Sequence, residues 1–349
     1  RVPVVNFLYL FMFIAEDINQ FKQLFVNKLK GMLSDSELGA FILVLANSHQ
    51  DAFLQGELDH DLKATFDALK DNFVAGRLDA TQDDVDVFEQ LLELDVSDIP
   101  VWQNRQVGDW EITYNSIRRL RPARASSQVL HSISQPYDAS RFHFNKPFLK
   151  PEILWQGEFD GINSRVLFNK FPFSEYHLLI VLSPQMNNPQ LLTWRDHQYV
   201  SSLAEVMAKV FPGFGIGFNS LAAGASVNHL HFQGFVRERC FAIERSHWSH
   251  NGGDTEYPLT VKRFTDAESS WACLQQLITK DEAFNCLYRD GCCYVVARRY
   301  QGSVLLPEWL RGAGWIDVAG AITVSESATF DRLTEDQVAT GIGLLKPAA

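Results

Sequence analysis

No two of the five cysteines are spaced C-x-x-C: Cys240, Cys273 and Cys286 stand apart, and Cys292 and Cys293 are adjacent. An odd count without paired spacing argues against a disulfide scaffold or a four-cysteine zinc site and points to a reducing compartment, the cytoplasm. Basic charge is also in short supply, with 31 Lys and Arg against 42 Asp and Glu, a net charge of −11. A general nucleic-acid binder needs a basic face to displace counterions, so no nucleic-acid partner is expected; a small phosphorylated ligand needs only a local cluster of donors. Long apolar runs are missing too. The strongest, Val4 to Ile14, is too short to span a bilayer, and no small-residue cleavage site follows it. The run therefore reads as a buried helix or strand, with no membrane partner. The sequence opens on Arg1 and not on Met, which leaves a longer native N-terminus open.

What is present is the material of a folded protein: 349 residues, 46% hydrophobic and 21% charged. Residues 1–105 form an acidic region with apolar residues at helical spacing in Asp17 to Leu33, Ser34 to Asn47 and Leu58 to Asn72. That region shows no chemistry and reads as a helical cap or an oligomer contact. From residue 106 to 349 the pattern changes. Trp110 to Tyr114, Val166 to Asn169, His177 to Leu182, Gly215 to Asn219, His229 to Val236, Cys292 to Ala297 and Ile316 to Val324 read as strands. Arg195 to Phe211 and the tail from Thr334 read as helices. The expected fold class is α+β, a mostly antiparallel sheet flanked by helices, with a helical N-terminal region.

The residues that carry chemistry are in Asn228-His229-Leu230-His231-Phe232-Gln233. On a strand, residues two apart share a face, so His229, His231 and Gln233 point one way and Leu230, Phe232 and Gly234 the other. Two imidazoles and a carboxamide in one row are costly to bury without partners. Upstream, Gly224-Ala225-Ser226 is a small-residue turn whose N–H groups can approach an anion, with Asn219 and Ser226 as side-chain donors. Three chemistries fit: a pair of hydrogen-bonded core histidines, a metal site, or a neutral His231 that attacks phosphorus. The metal reading lacks its carboxylate, because Phe235 and Val236 stand where one would be needed.

Arg118, Arg119, Arg121 and Arg124 put four arginines into seven positions. The run reads either as a solvated loop balancing carboxylates or as a set of bidentate donors for phosphate oxygens. His143 reads as a strand histidine at a sheet edge, and His247 and His250 as solvent-exposed. Trp271, Phe284 and the Cys292–Cys293 pair read as core.

The order Asn219-x6-Ser226-x2-His229-x-His231-x-Gln233, with Asn169-Lys170-Phe171-Pro172 to His177 upstream, resembles the histidine-triad (HIT) superfamily in its galactose-1-phosphate uridylyltransferase-like branch. Within that branch, Gly217 to Leu221, Ala225 to Gln233, Gln135 to Lys146 and Trp315 to Gly320 are similar to the GDP-hexose phosphorylases, over about residues 110 to 330. The resemblance implies cleavage of a GDP-hexose by inorganic phosphate through nucleotidyl-His231. Asn169 would lie at the ribose, Asn219 and Ser226 at the phosphates, and His229 would orient the histidine loop. Lys146 and Arg121 would face the attacking phosphate. No metal and no cofactor is implied; the partners are a nucleotide sugar and phosphate, and a homodimer through a sheet edge stays open. The alternatives are a diadenosine tetraphosphate phosphorylase and a non-catalytic nucleotide-binding protein.

Overall fold

The computed structural model describes residues 13–34, 37–94, 96–121 and 130–347. Most of the apolar run from Val4 and the Arg124 end of the arginine run lie outside the described residues. Four helices come first: α1 (Ile18–Met32), α2 (Leu38–Ser48), α3 (Ala52–Val74) and α4 (Gln82–Leu92). There follow β1 (Gln103–Val107), β2 (Trp110–Tyr114), β3 (Ile153–Phe159), β4 (Ile162–Phe168) and β5 (Leu178–Leu182). Next are α5 (Trp194–Val210), β6 (Phe214–Asn219), β7 (Phe232–Val236), β8 (Val261–Phe264) and α6 (Ala267–Thr279). The chain closes with β9 (Phe284–Arg289), β10 (Cys292–Ala297), α7 (Trp315–Val318), β11 (Ala321–Val324), α8 (Ser327–Arg332) and α9 (Glu335–Gly343).

Eight strands form an antiparallel sheet in the order β3-β4-β5-β7-β6-β9-β10-β8, and β1, β2 and β11 form a second sheet with β11 parallel to β2. This is the expected α+β architecture. Register places Leu167 opposite Leu179, Leu179 opposite Gln233, and Gln233 opposite Gly217. Paired residues of an antiparallel sheet share a face, so this row and its neighbours two residues away form one surface. The opposite surface, with Phe168, Ile180, Phe232, Ile216 and Phe218, is buried in one core together with α1, α2 and α5. Leu230, Phe232 and their neighbours thus turn away from the histidines, as alternation requires.

The N-terminal helices are fastened to the sheet and share its core. Asp17 caps α1 by accepting from the Asn19 and Gln20 amides. The helix then buries Phe21 against Phe211 (centroids 5.0 Å apart) and Phe25 against Phe168 (4.8 Å). Burying one such ring contributes about 1.5–3 kcal/mol. Asn47 donates to the Asn169 carbonyl at 2.9 Å, and Lys170 pairs with Asp84 of α4 at 2.5 Å. The helical region therefore holds the loop after β4, a job its own sequence does not announce.

Three local expectations are corrected. His229 to His231 precede β7 instead of lying in it, because the Leu230 amide bonds the Asn188 carbonyl and the His231 amide bonds Gln190 Oε1 instead of neighbouring strands. Trp315 to Val318 is a short helix: Asp317 accepts from the Gly314 amide at 2.9 Å, a capping interaction, and Gly320 at φ +94° turns the chain into β11. His143 sits in a loop, accepting from the Asn145 amide, and is not on a strand.

Candidate active site

His231 is placed by one side chain that sequence reading overlooked. Gln190 accepts from the His231 amide (2.9 Å) and donates to both the His231 carbonyl (3.0 Å) and the Asn219 carbonyl (2.9 Å), so it binds the end of β6 to the start of β7. Forty-one residues separate Gln190 from His231, and no motif marks it. Asn228, next to the histidines, accepts from the Gln190 amide and donates to the Gln135 and Pro136 carbonyls, so the Gln135 to Lys146 segment closes over the site.

The imidazole of His231 is buried, and its Nδ1–H donates to the His229 carbonyl at 2.8 Å. A carbonyl accepts only, so the proton is on Nδ1 and Nε2 keeps its lone pair. Burial pushes the imidazole down to about 4, against the opposing pull of that carbonyl. At neutral pH the ring is uncharged. His229 lies behind it and does not line the cavity: its Nδ1 accepts from the Phe144 amide at 3.2 Å, and it also bonds the Pro184 backbone. Burial first, then His231 and His143, lower His229 to about 4.

Two carboxamides flank His231, and each has its oxygen occupied. Gln233 Oε1 accepts from the Trp315 indole at 2.7 Å and from His177 Nε2 at 3.2 Å; His177 Nδ1 accepts from the Phe173 amide, which puts its proton on Nε2. Asn219 Oδ1 accepts from Asn285 (2.6 Å) and from the Trp315 backbone amide (2.7 Å). Among the described residues neither amide nitrogen has a protein partner, and both residues line the cavity with His231. The network therefore assigns both –NH2 groups to the cavity side as donors for an anion. Trp315 holds both amides at once, with its ring seated where Gly217 has no side chain: a Cβ there would come 2.2 Å from Trp315 Cδ2.

The cavity has a volume of about 630 Å³ and runs from His231 past Asn169 to Asp84. Arg118 and Arg121 line it together with Asp317, so of the three described arginines in the run two face the cavity and Arg119 is exposed. Arg118 donates to the Phe171 carbonyl (3.1 Å) and lies over the Phe173 ring. Burial, with Arg121 nearby, lowers it to about 9, and burial raises the Asp317 carboxyl. Asn169 lines the cavity with its Oδ1 tied to the Phe171 amide, and Ser226 stands exposed on the lip. Lys146 is not brought in: its ammonium bonds the Ala139 carbonyl and it does not line the cavity. His247 pairs with Asp109, and His250 is half-buried against the Ile243 carbonyl rather than exposed. Phe284 and Cys293 are buried as expected, whereas Trp271 and Cys292 are half-buried. Among the described residues no three His, Cys, Asp or Glu side chains gather as metal ligands.

Residues 111–235 match the family described as GDPGP1-like, N-terminal domain. GDP-D-glucose phosphorylase 1 of Danio rerio is 36% identical over 124 residues, 35% of this chain and 35% of the relative. The Homo sapiens protein of that name is 31% identical over 132 residues, 35% of this chain and 33% of the relative. GDP-L-galactose phosphorylase 2 of Arabidopsis thaliana is 28% identical over 152 residues, covering 38% and 34%. The chain spans about a third of the length of the curated relatives it matches. The crystal structure of yeast Ap4A phosphorylase Apa2 superposes with a TM-score of 0.50 at 15% identity, over 77% of this chain and 97% of that one, which shows a shared fold. The sequence resemblance to GDP-hexose phosphorylases and the HIT-like architecture are thus both borne out. The matched segment contains His177, His229, His231 and Gln233, but ends well before Trp315.

Proposed function

We propose that the protein is a nucleotidyltransferase that phosphorolyses a nucleoside-diphosphate hexose, GDP-hexose first among them, through a nucleotidyl-His231 intermediate. His231 Nε2 attacks the α-phosphorus, and the bridging P–O bond breaks so that hexose 1-phosphate leaves with its electron pair. Inorganic phosphate then attacks the same phosphorus, releasing His231 and giving the nucleoside diphosphate. Neither leaving group needs strong general-acid help, which suits Gln233, a donor that cannot give up a proton. The observation that carries the proposal is the neutral, Nδ1-protonated His231 between the two inward-facing amides of Asn219 and Gln233. Such fixed donors supply most of what phosphoryl transfer asks of a protein. The names of the relatives support hexose and guanine as the substrate parts.

Arg118 and Arg121 supply positive charge for the incoming phosphate. The free thiols suit a reducing compartment, so we place the reaction in the cytoplasm; among the described residues no helix is long and apolar enough to cross a membrane. GDP-glucose labelled at the α-phosphate should leave label on wild-type protein and none on His231→Ala, and added phosphate should release it as GDP. Labelling from diadenosine tetraphosphate but not from any nucleotide sugar would favour the dinucleotide reading instead. Tight nucleotide binding without label would make the protein a non-catalytic binder.

A further inference from the structure

The cavity extends well beyond the phosphate-binding amides, and its far end has its own chemistry. The sheet order β3-β4-β5-β7 puts the start of β3 three strands from His231, about 14 Å at the usual strand spacing. That distance is comparable to the reach of a nucleoside monophosphate from phosphorus to the far edge of its base. Asn169, the expected ribose residue, follows β4 and lies between the two ends. The walls along the way are apolar: Leu167, Leu179, Phe144 and Leu149. Two phenylalanines on the rim, Phe142 and Phe148, stay 47% and 65% exposed, which aromatic side chains adopt at a cost unless something packs on them.

At the end of this slot are Glu152, immediately before β3, and Lys170, two residues after β4. Asp84 of α4 grips the Lys170 ammonium at 2.5 Å. Among the described residues the Glu152 carboxyl has no hydrogen-bond partner. An acceptor beside a cation is the complement of guanine, whose edge offers the O6 acceptor next to the N1–H and N2–H donors. Adenine offers the reverse order and would set its amino group against the ammonium. We infer that Glu152 and Lys170 select guanine, Glu152 accepting from N1–H and N2–H and Lys170 donating to O6, with Asp84 of the N-terminal helical layer positioning Lys170. This rests on the nucleotidyl-transfer proposal for the orientation of the nucleotide. Burial, with Asp84 adding to it and Lys170 opposing, lifts the Glu152 carboxyl to about 7, as befits an acceptor whose donors arrive with the ligand.

The test is binding of GDP, IDP and ADP to the full chain by calorimetry, with no turnover required. GDP should bind about 10–100-fold more tightly than ADP, and more tightly than IDP, which lacks the 2-amino group. Glu152→Gln keeps shape and one acceptor but presents a donor where guanine also donates; it should bring GDP, IDP and ADP to within a few-fold of one another. Lys170→Met should weaken GDP and IDP together. An unchanged circular-dichroism spectrum and melting midpoint would show that each variant folds. A GDP/ADP ratio near one in the wild type, or one that survives Glu152→Gln, overturns the inference. Absence of label on His231 would instead sink the transfer reaction and leave the base ratios as the measure of this pocket.

Discussion

Trp315 offers a sharp test of how the site is held, because one residue fixes both amide donors and only half of that function depends on its side chain. In Trp315→Phe the backbone amide still bonds Asn219, while Gln233 Oε1 loses the indole N–H and keeps only His177. A flipped Gln233 carboxamide would turn its oxygen to the phosphate. In the wild type the flip sets –NH2 against two N–H donors; in the variant it meets one. Losing one hydrogen bond lowers the bias by about 0.5–1.5 kcal/mol, or roughly 2–13-fold in the ratio of correctly oriented to flipped amide. Removing the donor altogether, as in Gln233→Ala, should cost about 2.7–4 kcal/mol of transition-state stabilisation, on the order of 100–1000-fold in kcat. The decisive comparison is a double-mutant cycle on the rate of nucleotidyl-enzyme formation measured in single turnovers. Trp315→Phe should slow the step several-fold in the wild-type background and by less than about twofold in Gln233→Ala. Loss of part of the indole also leaves a void beside Phe235, with a stability cost of about 1–2 kcal/mol that a urea titration would separate from the rate effect. If the substitution slows transfer equally in both backgrounds, Trp315 does not act through Gln233 and the assigned amide orientation is wrong.

The remaining predictions concern packing and protons. Gly217→Ala should displace the Trp315 ring, costing about 1–3 kcal/mol by overpacking and slowing transfer more than Trp315→Phe does; a melting curve that does not shift would contradict it. His231 reacts as the neutral base and its pKa is lowered to about 4, so the single-turnover rate of nucleotidyl transfer at saturating substrate, where the base already occupies its site, should stay flat as pH falls through 6.5 and decline only near 4–5. An acid limb at 6.5 would show an imidazole open to water. His177 is lowered to about 3, and His197, His229 and His231 to about 4, each chiefly by burial. Unfolded histidines take up protons near 6.5 while these do not, so the stability they preserve is complete above 6.5 and drains away as pH falls toward 4. Chemical denaturation between pH 7.5 and 4.5 should show stability decreasing through that window; no change across it would contradict the burial of these imidazoles.

Near the chain's centre the sequence determined a great deal. Alternation sent Leu230 and Phe232 into the core and put His231 and Gln233 on the other side, because that choice depends only on the period of an extended chain. The H-x-H-x-Q spacing with Asn219 and Ser226 was enough to suggest a phosphate-binding histidine, and the arginine run was enough to suggest positive charge near it. The choice of partners was decided by tertiary structure. Gln190, Asn285 and Trp315 become site residues only when the ends of β6 and β7 meet, and nothing local distinguishes them from other polar or aromatic residues. The Trp315 segment looked like a strand because its apolar residues are consecutive; Asp317 and Gly314 made it a capped turn. Lys146 had the right charge in the right motif, but its loop carries it to the Ala139 carbonyl. The N-terminal helices showed no chemistry in their sequence because Asp84 acquires meaning only through Lys170, 86 residues away. Periodicity and residue type are local and can be read along the chain. Which carbonyl orients an imidazole, and which indole turns an amide, depend on contacts between distant segments that exist only once the sheet has formed.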